Sequence, residues 1–292
     1  MTSVSNVDLT DILTPELLDS VSRLHFPWPE HGPLDFKAVS DYWFQRSPDW
    51  ADKYYQLSFD AVTRPLSTIG VDNVPDLMTV LPPPEAPEFP QRALGLLLVL
   101  DQVPRMILSG INARYTSSYF DVWAKSLARR LLTLPPTQRP DNMKRWLDQG
   151  WSFEQAIIRR MWFYTPLMRA DTEDHVGQID PYRKVLAQNP HDIVAFSRLV
   201  IQGPPVSAQS SMEGFMFWLT HLLDVHTPII RKYACYPYRN EQMGRTFKAE
   251  EKEFMRLTNN LGASGLSDGE IKHIRQDVET GRWTALTAEH QG

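Results

Sequence analysis

Two arginine-centred motifs hold the residue types best suited to chemistry in this chain. The first is Leu100-Asp101-Gln102-Val103-Pro104-Arg105, at the end of a wholly apolar run. The second is Tyr236-Pro237-Tyr238-Arg239-Asn240, followed by Gly244-Arg245. Each sets Pro and Arg beside apolar or aromatic residues, where a guanidinium is partly desolvated. Such a cation needs a partner, either a protein carboxylate or a ligand oxygen. Asp101 and Arg105 are four apart and can pair across one helical turn. Alternatively, Arg105 turns its fork into a cavity and grips a carboxylate, enolate or phosphate oxygen. Arg239 and Asn240 either bind an anion and polarise a carbonyl, or tie their own loop down by satisfying backbone carbonyls. Tyr236 and Tyr238 add neutral hydroxyl donors at the same place.

Other candidate groups are weaker. Asp171, Glu173 and Asp174, with His175 and Gln178, are residue types that suit a hard or borderline cation. Their spacing matches no metal signature and fits a charged helix start. His221 and His226 are five apart and share no helix face. The expectation is therefore no metal and no cofactor. The sequence contains no G-x-S-x-G, H-E-x-x-H, P-loop or Rossmann fingerprint. The single cysteine, Cys235, has Arg231 and Lys232 nearby, which would favour a thiolate. Packing between Ala234 and Tyr236 is the plainer reading. One cysteine excludes an intrachain disulfide and fits a reducing compartment.

The elements that must position these residues read as helices. Thr14-Pro15-Glu16 is an N-cap, a Pro at the first helical position and an acidic first turn. Helical spacing recurs over Phe36–Phe44, Trp50–Ala61, Phe153–Tyr164, Asp192–Leu199 and Met212–Leu223. Gln91–Val103 is apolar nearly all round, which predicts a central buried helix ended or kinked by Pro104. Tyr115, Tyr119, Trp123, Leu127 and Leu131 share one face of the next helix. Ser267-x-x-Glu270 is a capping box ahead of Ile271, Ile274 and Val278. Residues 75–90, with six prolines, read as a loop. Strand-like alternation is nearly absent, so the fold class is all-α, a bundle or a stack of helix pairs.

The chain has 292 residues, is 42% hydrophobic and carries a formal net charge of -5. That suffices for a real core and argues against nucleic acid as a partner. The N-terminus shows no basic, apolar leader pattern, and Ala93–Leu100 is too short to span a bilayer. A cytoplasmic protein with no membrane span is the expectation. Nine Trp and ten Met supply either core alone or core plus an adaptable aromatic cavity.

Three motifs, in order, resemble a bacterial and fungal helical family known as domain of unknown function 924. Asp41-Tyr42-Trp43-Phe44, with Trp50 and Phe59-Asp60, is similar to its F-W-F and W-F…F-D entry. Leu100 to Arg105 is similar to its L-D-Q-F-P-R-N. Tyr236 to Asn240, with Gly244-Arg245 and Glu250-Glu251, is similar to its F-P-H-R-N…G-R…E-E. The resemblance spans Val39 to Met255 and is that of a divergent, fungal-type member. It implies a single domain of stacked helix hairpins, similar to tetratricopeptide repeats, with long Pro-rich loops. The segments expected are residues 1–38 (helix and loop), 39–258 (helical domain) and 259–292 (helix and tail). The departures from the family pattern matter. Met106 replaces an Asn, and Ser109 an Arg. Asp171-Thr172-Glu173 stands for H-S-E, with Gln178 kept. Tyr233 to Tyr238 loses an Arg and a His. Where such positions line a pocket, that pocket has become less polar.

The expectation is a cofactor-independent enzyme that binds a largely apolar small molecule and promotes cyclisation or isomerisation. A pericyclic, Diels–Alder-type step in natural-product biosynthesis is included. Such chemistry needs a shaped cavity and donors that polarise a carbonyl. Arg105, Arg239, Asn240 and Tyr238 are the catalytic candidates. Asp101, Gln102, Met106, Trp123, Glu173, Gln178, Met216, Trp218, Tyr236 and Arg245 are the substrate-binding candidates. The alternatives are a non-catalytic peptide- or protein-binding module, and a binder or hydrolase of an anionic metabolite. A homo-oligomer is compatible with each. Arg105 and Arg239 are expected to face one cavity.

Overall fold

The computed structural model describes residues 8–44, 48–70, 73–169, 193–263, 265–281 and 286. In chain order the helices that frame it are α1 (Pro15–His25), α2 (Phe36–Phe44), α3 (Pro48–Ser58), α4 (Phe89–Asp101), α5 (Val103–Ile107), α6 (Asp121–Leu132), α7 (Phe153–Arg160), α8 (Ile193–Ile201), α9 (Met212–Asp224), α10 (His226–Tyr233), α11 (Ala249–Leu257) and α12 (Asp268–Thr280). The fold is all-α, with no strand among the described residues. None of the described helices is long and apolar enough to cross a membrane.

The chain forms two compact units. Unit 1 is Met1–Pro33, Ser47–Pro166 and Glu279–Gly292; unit 2 is Leu34–Arg46 and Leu167–Val278. These bounds differ from the segments expected from sequence. The 38/39 boundary falls inside α2, whose Phe36 and Trp43 rings pack 5.3 and 6.4 Å from Phe215 in unit 2.

Unit 1 is built on α4. Every residue from Ala93 to Asp101 is buried, as an all-round apolar helix requires. The helix stops at Asp101 and restarts at Val103, because Pro104 brings no amide donor. Helix α1 starts as expected: Thr14 Oγ1 accepts from the Leu17 amide at 3.3 Å, with Pro15 next. It buries Leu18 and Val21. Gly95 is the point of closest approach, where a Cβ would sit 2.4 Å from the Leu18 carbonyl oxygen. The helix expected from Tyr115 onward contains a π-helical turn, Thr116–Phe120, before α6; a second one, Phe59–Thr63, follows α3. The Pro-rich stretch expected as a loop over residues 75–90 contains a 3₁₀ turn, Leu77–Val80, and its last two residues already belong to α4. Arg130 pairs with Asp76 at 2.7 Å, and Arg145 Nη2 donates to the Ala86 carbonyl at 2.7 Å.

His25 illustrates what this core does to a titratable group. It is 1% exposed, with Nδ1 2.8 Å from the Tyr54 hydroxyl and the Phe26, Trp50 and Trp162 rings around it. Burial, helped by nearby Arg159, pushes its pKa down from 6.5 to about 3. The unfolded chain therefore takes up a proton that the folded chain refuses. Stability is fully present above 6.5 and is lost as pH falls from there toward 3. In that window wild type should lose about 1.4 kcal/mol per pH unit more than His25→Gln, read from urea midpoints. Parallel pH profiles would show that the imidazole is not the proton acceptor.

Unit 2 packs α10 and α11 against each other through Ile229, Ile230, Tyr233, Tyr236, Phe254 and Met255. Helix α12 opens with the predicted capping box: the Ser267 amide donates to Glu270 Oε2 at 2.8 Å, and the Glu270 amide donates to Ser267 Oγ at 3.3 Å. Its Ile274 is buried.

Candidate functional site

In unit 1, the break between α4 and α5 turns Asp101, Gln102 and Arg105 into one buried network. Arg105 pairs with Asp101 at 3.5 Å, as the spacing predicted, and more closely with Asp121 at the start of α6. Asp101 Oδ2 also accepts from the Gln102 side-chain Nε2 and, at 3.2 Å, from the Thr165 hydroxyl. Asp101 is 2% and Asp121 5% exposed, so one cation stands between two desolvated carboxylates. Its described contacts are those of a structural ion pair. Met106 is half-buried beside it. Trp123, expected as a cavity wall, is a core residue with no exposed surface, its ring 5.0 Å from Tyr119.

In unit 2, Arg239 lies 5.0 Å from the Tyr236 ring and 5.4 Å from the Tyr238 ring, a cation–π arrangement. Its Nη1 donates to the Arg169 carbonyl at 2.6 Å. Asn240 donates to Glu251 Oε2 at 3.0 Å, and the same oxygen accepts from the Lys248 amide at 2.8 Å. Tyr236 donates through its hydroxyl to the Met168 carbonyl. The left-handed Gly244 (φ +68°) turns the chain so that the Arg245 amide donates to the Asn240 carbonyl at 2.7 Å. These contacts tie the loop to its surroundings. Cys235 Sγ lies 3.8 Å from Asn240 Oδ1 and 3.9 Å from Glu251 Oε1.

Arg105 belongs to unit 1 and Arg239 to unit 2, and each is engaged within its own unit. Asp171, Glu173, Asp174, His175 and Gln178 lie outside the described residues. His221 and His226 part company: His226 Nδ1 lies 2.7 Å from the Leu222 carbonyl, whereas His221 faces a groove.

That groove is the feature sequence reasoning did not assemble. It is half-open, about 640 Å³, and lies wholly within unit 2. The Gly203-Pro204-Pro205 loop forms one wall, while Phe217, Trp218 and His221 of α9 form the other. Gly214 allows the 3₁₀ turn Val206–Gln209 to lie against α9, because a Cβ there would meet the Ser207 carbonyl at 3.0 Å. Trp218 is 6% exposed and held from behind by Phe44 at 4.9 Å; Phe217 is 70% exposed on the rim. Among the described residues no charged side chain lines the groove. Burial lowers the His221 pKa below its ordinary 6.5, so the neutral imidazole prevails at pH 7. Of the substrate-binding candidates, Trp218 lines the groove and Met216 sits half-buried on the same helix.

The described residues form an all-α protein with a half-open groove lined by aromatic and uncharged polar side chains. The chain belongs to the family described as bacterial protein of unknown function (DUF924), matched over residues 28–259. No curated protein and no solved structure matches it.

Proposed function

We propose that this chain binds an uncharged, largely apolar small molecule in the unit 2 groove and promotes its cyclisation or isomerisation without a cofactor. A pericyclic, Diels–Alder-type step in natural-product biosynthesis is the reaction class that fits. The observation that carries the reading is the lining: two aromatic rings, two prolines, a neutral imidazole and the uncharged polar side chains of Gln202 and Ser207, with no lysine, arginine or carboxylate among the described residues. Such a surface rewards apolar ligands and gives an anionic metabolite no counter-charge. Holding a reactive conformer against a rigid wall lowers the entropic part of a barrier. The His221 imidazole and Trp218 indole N–H are the neutral groups that would polarise a carbonyl on the ligand. The residues first expected to do so, Arg105 and Arg239, are engaged by protein partners in the described contacts. A cytoplasmic setting and a homo-oligomer are part of the same proposal.

A second reading, a non-catalytic module that binds an apolar peptide segment, draws on the exposure of Phe217 and of Val206, which is 83% exposed. One screen separates the two. Neutral polyenes and bicyclic aromatics, their carboxylate counterparts and apolar peptides are tested for stabilisation, and incubated ligands are analysed for isomeric products. The enzyme reading expects neutral small molecules to stabilise the protein and at least one to give a product of unchanged mass. Stabilisation by peptides alone would support the module, and by carboxylates alone would defeat both.

A further inference from the structure

A second cavity in unit 2, half-open and about 440 Å³, shares no lining residue with the groove. Its size falls within the ~300–1,000 Å³ of small-molecule sites. Lys252, Met255 and Arg256 reach it from one face of α11, three and four residues apart. Met255 is 7% exposed and, with the half-buried Phe247 ring, makes the apolar part of the wall. Glu241 lines it from the loop that follows Asn240, and Asn259 and Asn260 from the turn beyond α11. The charges on this wall do not cancel. Arg256 is spent, because its Nε and Nη2 donate to the Glu253 carboxylate at 2.8 and 2.6 Å. Lys252 forms no ion pair among the described residues. Glu241 has no cationic partner among them either; its Oε2 accepts from the Leu266 amide at 3.4 Å. An ammonium and a carboxylate thus line one cavity without pairing with each other, an arrangement that a ligand carrying both signs can bridge.

The asparagine turn is held in place by its surroundings. Asn259, Asn260 and Leu261 all have left-handed backbone, at φ +48°, +53° and +50°. Asparagine tolerates that region, but leucine pays for it, so the turn persists only where its contacts over-determine it. Leu261 packs against the unit 2 core, and its amide donates to the Thr258 carbonyl at 3.0 Å. The Ala263 amide donates to the Asn260 carbonyl at 2.9 Å. Two side-chain amides, neither hydrogen-bonded among the described residues, are thereby fixed in the cavity wall.

We infer that this cavity is a receptor for a zwitterion, an α-amino acid with an apolar or aromatic side chain. The Lys252 ammonium and the asparagine amides take its carboxylate, Glu241 takes its ammonium, and Phe247 and Met255 take its side chain. The inference does not depend on the reading of the groove, since the two cavities have no residue in common.

The test is calorimetry on the full chain with three probes: L-phenylalanine, 3-phenylpropionate, which lacks the ammonium, and 2-phenylethylamine, which lacks the carboxylate. Wild type should bind phenylalanine saturably and each analogue more weakly by about fivefold or more, one charge-assisted contact discounted for solvent exposure. Lys252→Gln should weaken phenylalanine by a similar factor and leave phenylethylamine unchanged. Glu241→Gln, which keeps an acceptor for the Leu266 amide, should weaken phenylalanine and leave phenylpropionate unchanged. Phe217→Asp, on the rim of the groove, should bind phenylalanine as wild type does. Absence of saturable phenylalanine binding overturns the inference. So does an analogue that binds as tightly as phenylalanine, or phenylalanine affinity that survives either charge substitution intact. Phenylalanine binding lost in Phe217→Asp would place the ligand in the groove and overturn it as well.

Discussion

Arg105→Met should lower the stability of the chain by about 3–5 kcal/mol, the range for removing one member of a buried ion pair. The reason is the two carboxylates around it. Asp101 and Asp121 are both nearly sealed from water, and Arg105 is paired to each. Without the cation, two desolvated anions face each other across the break between α4 and α5. Arg105→Lys should recover only part of the loss, because an ammonium cannot reproduce the planar fork. Arg105→Met combined with Asp121→Leu should be less destabilised than the sum of the singles, since the second change removes a stranded charge. Urea unfolding of the four proteins measures this. If Arg105 instead held a ligand, the single variant would keep the wild-type midpoint and the double cycle would show no coupling.

Gly95→Ala should also destabilise, by about 1–3 kcal/mol, the usual cost of overpacking a tight core. The added methyl would lie 2.4 Å from the Leu18 carbonyl oxygen and 2.9 Å from its carbon, both backbone atoms of α1. A flexible side chain could turn aside, but a helix backbone cannot. Helix propensity works in the opposite direction, so the clash must exceed a gain of roughly 0.8–1.0 kcal/mol. Gly269→Ala is the control. It lies in α12 with nothing within 4 Å of its Cβ position. It should be neutral or slightly stabilising in the same denaturant series. Equal midpoints for both variants would mean that α1 and α4 have room to part.

The sequence made legible what depends on local pattern. Helix α4 could be read because it is apolar on every side, and its end because Pro104 cannot donate. Thr14 and Ser267 marked helix starts through side-chain capping alone. The Asp101–Arg105 pair followed from four-residue spacing. What escaped depends on long-range geometry. Asp121 stands sixteen residues from Arg105, beyond a π-helical turn whose extra residue no helical period reveals. A buried aspartate after the aromatic run Tyr119-Phe120 was the available signal. The Gly203-Pro204-Pro205 triplet was legible as a break, yet nothing local says that it walls a groove with α9. Arg159 carried no signal, since the Phe26 ring reaches it from far along the chain and the Trp151 ring from the turn ahead of α7.

The claim that the unit 2 groove takes an uncharged, apolar ligand is tested most directly by one calorimetric comparison. The affinities of 2-naphthol and 2-naphthoate, which differ in charge at pH 7, are measured on wild type and on Phe217→Asp. Phe217 is exposed, so the substitution leaves the core intact. The account predicts that wild type prefers the neutral naphthol and that Phe217→Asp weakens its binding by about tenfold or more, ~1.4 kcal/mol. Equal or tighter binding of naphthoate by wild type, or naphthol affinity unchanged in Phe217→Asp, would contradict it.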